Sequence, residues 1–211
     1  LSGVMPALIV ACADNAARRH KRWGYKAEKM LVIPNGYTLS QWTPDPEKAL
    51  GIYQELGIEP SIPLLSSVAR WNPLKDHPNL LAALARLKRM QPGEWRCLLV
   101  GEGLDGDNTE LMHLIQHFDL NDRVILMGRR EDVPAIMAAT DIHVLSSKAE
   151  GFPNVVCEAI VSKALCVVTD VGDAAKIVGA EGIVVPPSNA EALAQGMEKA
   201  LALLTSPDLA N

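Results

Sequence analysis

The sequence predicts an α/β fold, a parallel sheet covered by helices on both faces, and three observations predict it. Short apolar runs alternate with longer helical patterns along almost all of the 211 residues, the pattern of parallel strands joined by crossover helices. Most of these runs are continuously hydrophobic, as strands buried on both faces are. A chain of this length also holds one good-sized core, or one domain with a piece of a second.

The elements follow in order. A strand over 7–12, carried by Ala7-Leu8-Ile9-Val10, leads into a helix over 15–23 and a second strand over 30–33. Pro34-Asn35-Gly36 and then Pro44-Asp45-Pro46 concentrate turn formers, which places a domain boundary there. Residues 1–34 are expected to be the tail of one domain with its linker, and residues 35–211 a second domain. Within the second, strands are expected at 64–69, 96–100, 124–127, 142–146, 165–169 and 182–185. Helices alternate with them at 46–56, 78–90, 109–117, 133–139, 153–163, 173–178 and 189–204. Several open with a proline in the first turn, where its missing N–H costs nothing. The start at Leu1, directly before a strand, and the end after an amphipathic helix read as those of a fragment.

The formal net charge of −5 excludes nucleic-acid or anionic-membrane binding driven by bulk charge, so any phosphate ligand is gripped locally. Cys12, Cys97, Cys157 and Cys166 lie in apolar runs without CxxC spacing, which suits buried thiols in a reducing cytosol. The apolar stretches, such as 7–13, are far shorter than the ~20 residues of a membrane span.

Ligands of open parallel sheets collect outside the carboxyl ends of the strands, so the loops after strands are read first. Four carry unusual chemistry. Arg70-Trp71-Asn72-Pro73-Leu74-Lys75 offers a planar fork and a point charge to a diphosphate; solvated surface charge explains the pair as well, with Asp76 placed to neutralise Lys75. Val100-Gly101-Glu102-Gly103 is a glycine loop that lacks the third glycine of the dinucleotide fingerprint, so a plain strand-to-helix turn competes with a nucleotide loop. Met127-Gly128-Arg129-Arg130 could bring backbone to a base edge, or simply precede a helix opened by Glu131 and Asp132.

The fourth loop runs from Ser146 to Asn154 into a helix carrying Glu158. With Pro153 in the first helical position, the cap falls at Phe152, which has no side-chain acceptor, so the exposed backbone donors are free for an anion. Glu158, four residues after Asn154, shares its face of the helix and can accept from two vicinal hydroxyls. Glu150 lies on the other side of such an anion. The competing reading makes one glutamate a loop acid and the other a surface residue. His113 and His117 have a metal-pair spacing, but Leu114 stands where a zinc protease carries its glutamate; solvated or core histidines are the expectation. His143 reads as a satisfied core residue. Asp105-Gly106-Asp107 is read as turn chemistry rather than a metal motif.

Together these loops resemble the donor-binding domain of the group 1 retaining glycosyltransferases, which are built of two Rossmann-like domains in the GT-B arrangement. The resemblance rests on Val32-Ile33-Pro34-Asn35-Gly36, Arg70 with Lys75, Val100-Gly101-Glu102-Gly103, and Ser147 through Ala159 with its Glu-x7-Glu spacing. Val168-Thr169-Asp170-Val171-Gly172-Asp173 and Ile183-Val184-Val185-Pro186-Pro187 continue it.

The resemblance implies a Rossmann-like doubly wound parallel sheet with helices on both faces, the C-terminal half of such an enzyme. It implies that Arg70 and Lys75 hold the donor diphosphate, with Glu150 at the transferred sugar. Gly151, Phe152, Pro153 and Asn154 then meet phosphate and sugar, Glu158 the ribose, and Gly101, Gly128 and Arg129 the nucleotide. The substrate would be a nucleoside-diphosphate sugar, with no cofactor and no obligatory metal. A glycan or lipid-linked acceptor would be met by the missing N-terminal domain in a cytoplasmic enzyme, with peripheral membrane contact in the full-length protein and no nucleic acid. The fragment alone is expected to bind nucleotide weakly and to transfer no sugar. A nucleotide-sugar epimerase of the same architecture, a binding-only domain and a dinucleotide dehydrogenase are the rival readings. Three positions depart from the family pattern: Lys163 and Leu165 replace a glycine and a proline, and Lys176 stands where an acid is common.

Overall fold

The computed structural model describes residues 4–205. Strands β1 (Ile9–Ala11) and β2 (Met30–Val32) pair in parallel through the crossover helix α1 (Asp14–Arg22). Helices α2 (Leu39–Trp42) and α3 (Pro46–Leu56) follow. Strand and helix then alternate strictly: β3 (Leu64–Val68), α4 (His77–Met90), β4 (Arg96–Val100), α5 (Thr109–His117), β5 (Val124–Gly128) and α6 (Val133–Ala139). The second half is β6 (Ile142–Leu145), α7 (Asn154–Val161), β7 (Leu165–Thr169), α8 (Ala174–Val178), β8 (Ile183–Val185) and α9 (Ala190–Leu204).

The strands from β3 onward form one parallel sheet in the order β5-β4-β3-β6-β7-β8. Its direction of growth reverses between β3 and β6, so a crevice opens outside the carboxyl ends of those two strands. Side chains alternate across the sheet. Leu65, Cys97, Leu99, Val144 and Val167 pack under α4, α5 and α9. Leu64, Leu98 and Val100 meet α3 and α6 on the other face, and Leu145, Cys166 and Val168 meet α6, α7 and α8. Both faces are therefore apolar, which is why the strands read as continuous hydrophobic runs.

Every expected strand and helix is present among the described residues, with ends moved by one or two positions. Helix α2 is additional. Its four residues have no apolar period, and it is held from outside: Ser162 donates from Oγ to Trp42 O at 2.9 Å. The expected start of α7 moves by one, because Pro153 takes the cap position and the helix begins at Asn154. Cys97 and Cys166 are buried as expected, Cys157 is partly covered, and Cys12 is exposed just beyond β1, a correction to the expectation of buried thiols.

Two histidines are buried and largely unsatisfied. His143 in β6 meets Ser66 Oγ through Nδ1 at 3.3 Å, but its Nε2 has no partner, so it is only half the satisfied residue expected. His77 stacks on Trp71 and neither of its ring nitrogens is paired. Burial holds both imidazoles down to about 4 from the ordinary 6.5. Because the unfolded chain binds these protons first, stability is full above pH 6.5 and is lost as pH falls through 4, by roughly 3 kcal/mol per histidine. His77→Phe keeps the stacking and forfeits no hydrogen bond. In a melting series from pH 7 to pH 4 it flattens the decline seen in the parent chain; an unchanged slope contradicts the assignment.

Candidate active site

The crevice is built from the exits of β3 and β6. Residues 69–76 leave β3, and Asn72 caps the short turn there by accepting from Leu74 N at 2.9 Å. Two bonds tie this loop to the exit of β6: Lys148 N donates to Leu74 O at 2.8 Å, and Ser146 Oγ to Lys75 O at 2.8 Å. Lys75 Nζ thereby reaches Glu150 Oε1 at 2.5 Å, with the two side chains 26% and 12% exposed. Ser147 Oγ donates to the same oxygen at 2.7 Å. An ammonium has three donors, so two remain to Lys75 for an incoming anion, and Oε2 of Glu150 remains an acceptor.

Arg70, Asn72, Leu74, Lys75, Ala149, Glu150 and Gly151 line one cleft of about 320 Å³. The two cations and Glu150, read from distant stretches of sequence, thus face a single space. The rival reading, in which Asp76 neutralises Lys75, is not what the structure shows. Asp76 instead pairs with Lys148 at 3.0 Å and accepts from Ser188 Oγ at 3.3 Å.

Beside the cleft, α7 begins without a side-chain cap and without an acid in its first turn. Asn154 cannot fold back onto it, since its Oδ1 accepts from Asn35 Nδ2 at 2.7 Å and Tyr37 OH at 2.8 Å. Free donors and the positive end of the helix dipole therefore face the crevice, an arrangement that suits an anion. Pro153 is buried, and Gly151 and Phe152 are half-buried at this edge. Glu158, one turn into α7, is half-buried, and burial raises its carboxyl above the ordinary range.

The glycines after β4 and β5 stand where neighbouring loops close on one another. A Cβ on Gly101, at φ +146°, would lie 2.0 Å from Ala69 O, and one on Gly103 would lie 2.9 Å from Trp71 Cβ. Trp71 N donates to Glu102 O at 2.7 Å, and Gly101 N to Gly128 O at 2.7 Å. Small residues here let the β3 loop, which carries Arg70, lie against its neighbours. Gly128 at φ +59° is buried, and Arg129 beside it is exposed. Arg130 is occupied by Glu55 at 2.6 Å and Asp132 at 2.7 Å, so Asp132 does not cap α6. His113 and His117 are exposed, as expected. Among the described residues no group of three or more His, Cys, Asp or Glu side chains is placed to hold a metal ion, and no helix is long and apolar enough to cross a membrane.

Residues 62–202 match the profile of the glycosyl transferases group 1. The chain belongs to that family. It is 27% identical over 186 residues to the D-inositol 3-phosphate glycosyltransferase of Nocardia farcinica, covering 84% of this chain and 41% of that protein. It is 29% identical over 150 residues to the UDP-Gal:alpha-D-GlcNAc-diphosphoundecaprenol alpha-1,3-galactosyltransferase of Escherichia coli, covering 68% and 37%. Among solved structures, Anabaena HepE in complex with UDP-glucose superposes with a TM-score of 0.87 at 26% identity, covering 96% of this chain and 56% of that one. The chain thus spans about two fifths of these curated relatives and about half of that solved structure. Its fold is the Rossmann-like C-terminal domain of the GT-B glycosyltransferases.

Sequence reading missed the roles of the hydroxyls that organise this cleft. Thr169 Oγ1 holds Ser147 O at 2.8 Å, and Ser146 and Ser147 hold Lys75 and Glu150. Their signal was small polar residues ending otherwise apolar strands. Of the departures from the family pattern, Lys163 takes φ +65° in the turn after α7, the left-handed conformation that a glycine adopts without strain.

Proposed function

We propose that this chain is the donor half of a retaining, two-domain glycosyltransferase and that the cleft between Arg70, Lys75 and Glu150 receives the diphosphate and sugar of a nucleoside-diphosphate sugar. The observation that carries this is the meeting of Lys75, Glu150 and the uncapped start of α7 at the switch point of the sheet. Arg70 and Lys75 hold the diphosphate, with the backbone of Gly151, Phe152 and Asn154 and the ring of Pro153 against phosphate and sugar. When the bond from sugar to diphosphate breaks, negative charge grows on the leaving oxygens, and fixed cations favour that state over the bound substrate. Glu150, oriented by Lys75 and Ser147, offers Oε2 to a sugar hydroxyl.

Glu158 accepts from the ribose hydroxyls, while Gly128 and Arg129 lie toward the base and Gly101 keeps the Arg70 loop in place. Residues 1–34 are the tail of an acceptor domain: Leu8, Val10, Leu31 and Ile33 are half exposed on β1, β2 and their margins, where a parallel sheet is normally covered. The acceptor, a glycan or a lipid-linked one, is bound by that other domain, and the donor half alone transfers no sugar.

Calorimetric titration of the 211-residue chain with a panel of nucleoside diphosphates and their sugars tests this reading. One ribonucleoside diphosphate binds, and Glu158→Ala weakens it by ~10–100-fold, the loss of two charge-assisted hydrogen bonds. Unchanged affinity for every ligand removes Glu158 from the ribose site.

A further inference from the structure

The segment from Asp170 to Lys176 takes no part in the steps above, yet it joins distant parts of the chain. Asp173 is buried, and its carboxylate accepts from Asp14 N at 2.7 Å and from Asn15 N at 2.8 Å. These are the first two amides of α1, whose own cap position is Ala13, a residue without a side-chain acceptor. A remote carboxylate therefore does the work of a cap, satisfying orphan donors at the positive end of the helix. Asp173 also stands at the cap position of α8 and gives that helix no side-chain bond, so its carboxylate is committed to α1. Lys176 pairs with the Asp14 carboxylate, and this pairing holds Asp14 below and Lys176 above their ordinary pKa ranges.

The other side of the segment bears on the donor loop. Asp173 N donates to Gly151 O at 3.1 Å. At Gly172, φ +57°, an added Cβ would stand 2.4 Å from Gly151 O and 2.7 Å from Glu150 O. One residue thus holds α1 with its side chain and the Glu150-Gly151 turn with its backbone. A cleft of about 600 Å³, lined by Arg18, Lys21, Val32 and Asp170 among others, opens between the two parts it joins.

We propose that Asp173 is a positioning residue: it latches the β1-α1-β2 unit to the donor loop, with Lys176–Asp14 as the second point of the latch, so that seating of the acceptor half and placement of Glu150 are set together. This rests on reading residues 1–34 as the tail of that half. It also accounts for the lysine at 176, since a carboxylate there would face Asp14.

The test has two readouts. In the 211-residue chain, Asp173→Ala speeds hydrogen exchange at the Asp14 and Asn15 amides by ~10-fold or more while α4 and α9 keep their protection. In the enzyme carrying both halves, the same change lowers kcat and leaves the donor KM within about twofold, a split expected when placement fails and donor binding survives. Asp173→Asn, which keeps one acceptor, falls between. Lys176→Asp alone lowers kcat, and adding Asp14→Lys restores it. Unchanged exchange at Asp14 and Asn15, an unchanged kcat, or a charge swap that restores nothing overturns the latch. Failure of the parent chain to bind any nucleoside diphosphate overturns the donor-site reading instead, and the exchange readout still judges the latch.

Discussion

Lys75→Ala lowers kcat for sugar transfer in the enzyme carrying both halves by ~10²–10³-fold, the range for loss of one preorganised charge on a developing anion. Two effects add in the same direction. The diphosphate loses a cation where its charge grows. Glu150, whose side chain is 12% exposed, loses a partner at 2.5 Å and keeps only the Ser147 hydroxyl at 2.7 Å, so it no longer has one orientation. Lys75→Arg keeps the charge and changes its shape and reach, and recovers only part of the rate. Steady-state kinetics of the three proteins decides the matter, and a kcat for Lys75→Ala within threefold of the parent removes Lys75 from the transition state.

Gly101→Ala destabilises the chain by ~3 kcal/mol or more, near the severe end for a single substitution. The new Cβ would lie 2.0 Å from Ala69 O and 2.6 Å from its carbonyl carbon, and these are backbone atoms of the β3 exit that cannot swing aside. The φ of +146° adds strain of its own. For a chain of this size the melting midpoint falls by roughly 6–12 °C. Gly151→Ala is the control. Its added Cβ meets nothing within 4 Å and its φ is not positive, so stability is nearly unchanged; with the diphosphate placed as proposed, the methyl crowds it and nucleotide affinity drops. Equal stability of the two variants contradicts the close approach assigned to Gly101.

The contrast shows what the sequence could disclose. Strands such as Arg96–Val100 and Leu165–Thr169 were legible because burial on both faces leaves an unbroken apolar run. Helix α3 was legible because Pro44-Asp45-Pro46 announces a start, and Asp45 does accept from Glu47 N and Lys48 N. Arg70, Lys75 and Glu150 were legible as residue types at strand ends. Their partners were not, since Lys75 had a nearer acid in Asp76 and takes Glu150, 75 positions away. Local spacing says nothing of which loops the sheet order brings together. Asp173 stands in the sequence as a helix start and as part of a family pattern; its role depends on α1, 158 positions earlier, lacking a cap. Gly101 suggested a nucleotide loop, and the structure gives it a packing reason.

In the proposed donor site a nucleoside diphosphate lies between the β3 exit and the start of α7. Backbone amide NMR of the 211-residue chain during titration with that ligand tests it most directly. Saturable shifts are expected at Gly151, Phe152, Asn154 and Lys75, with smaller ones at Glu158, all abolished together by Arg70→Ala combined with Lys75→Ala. Saturable binding that leaves those amides unmoved and shifts another surface contradicts it.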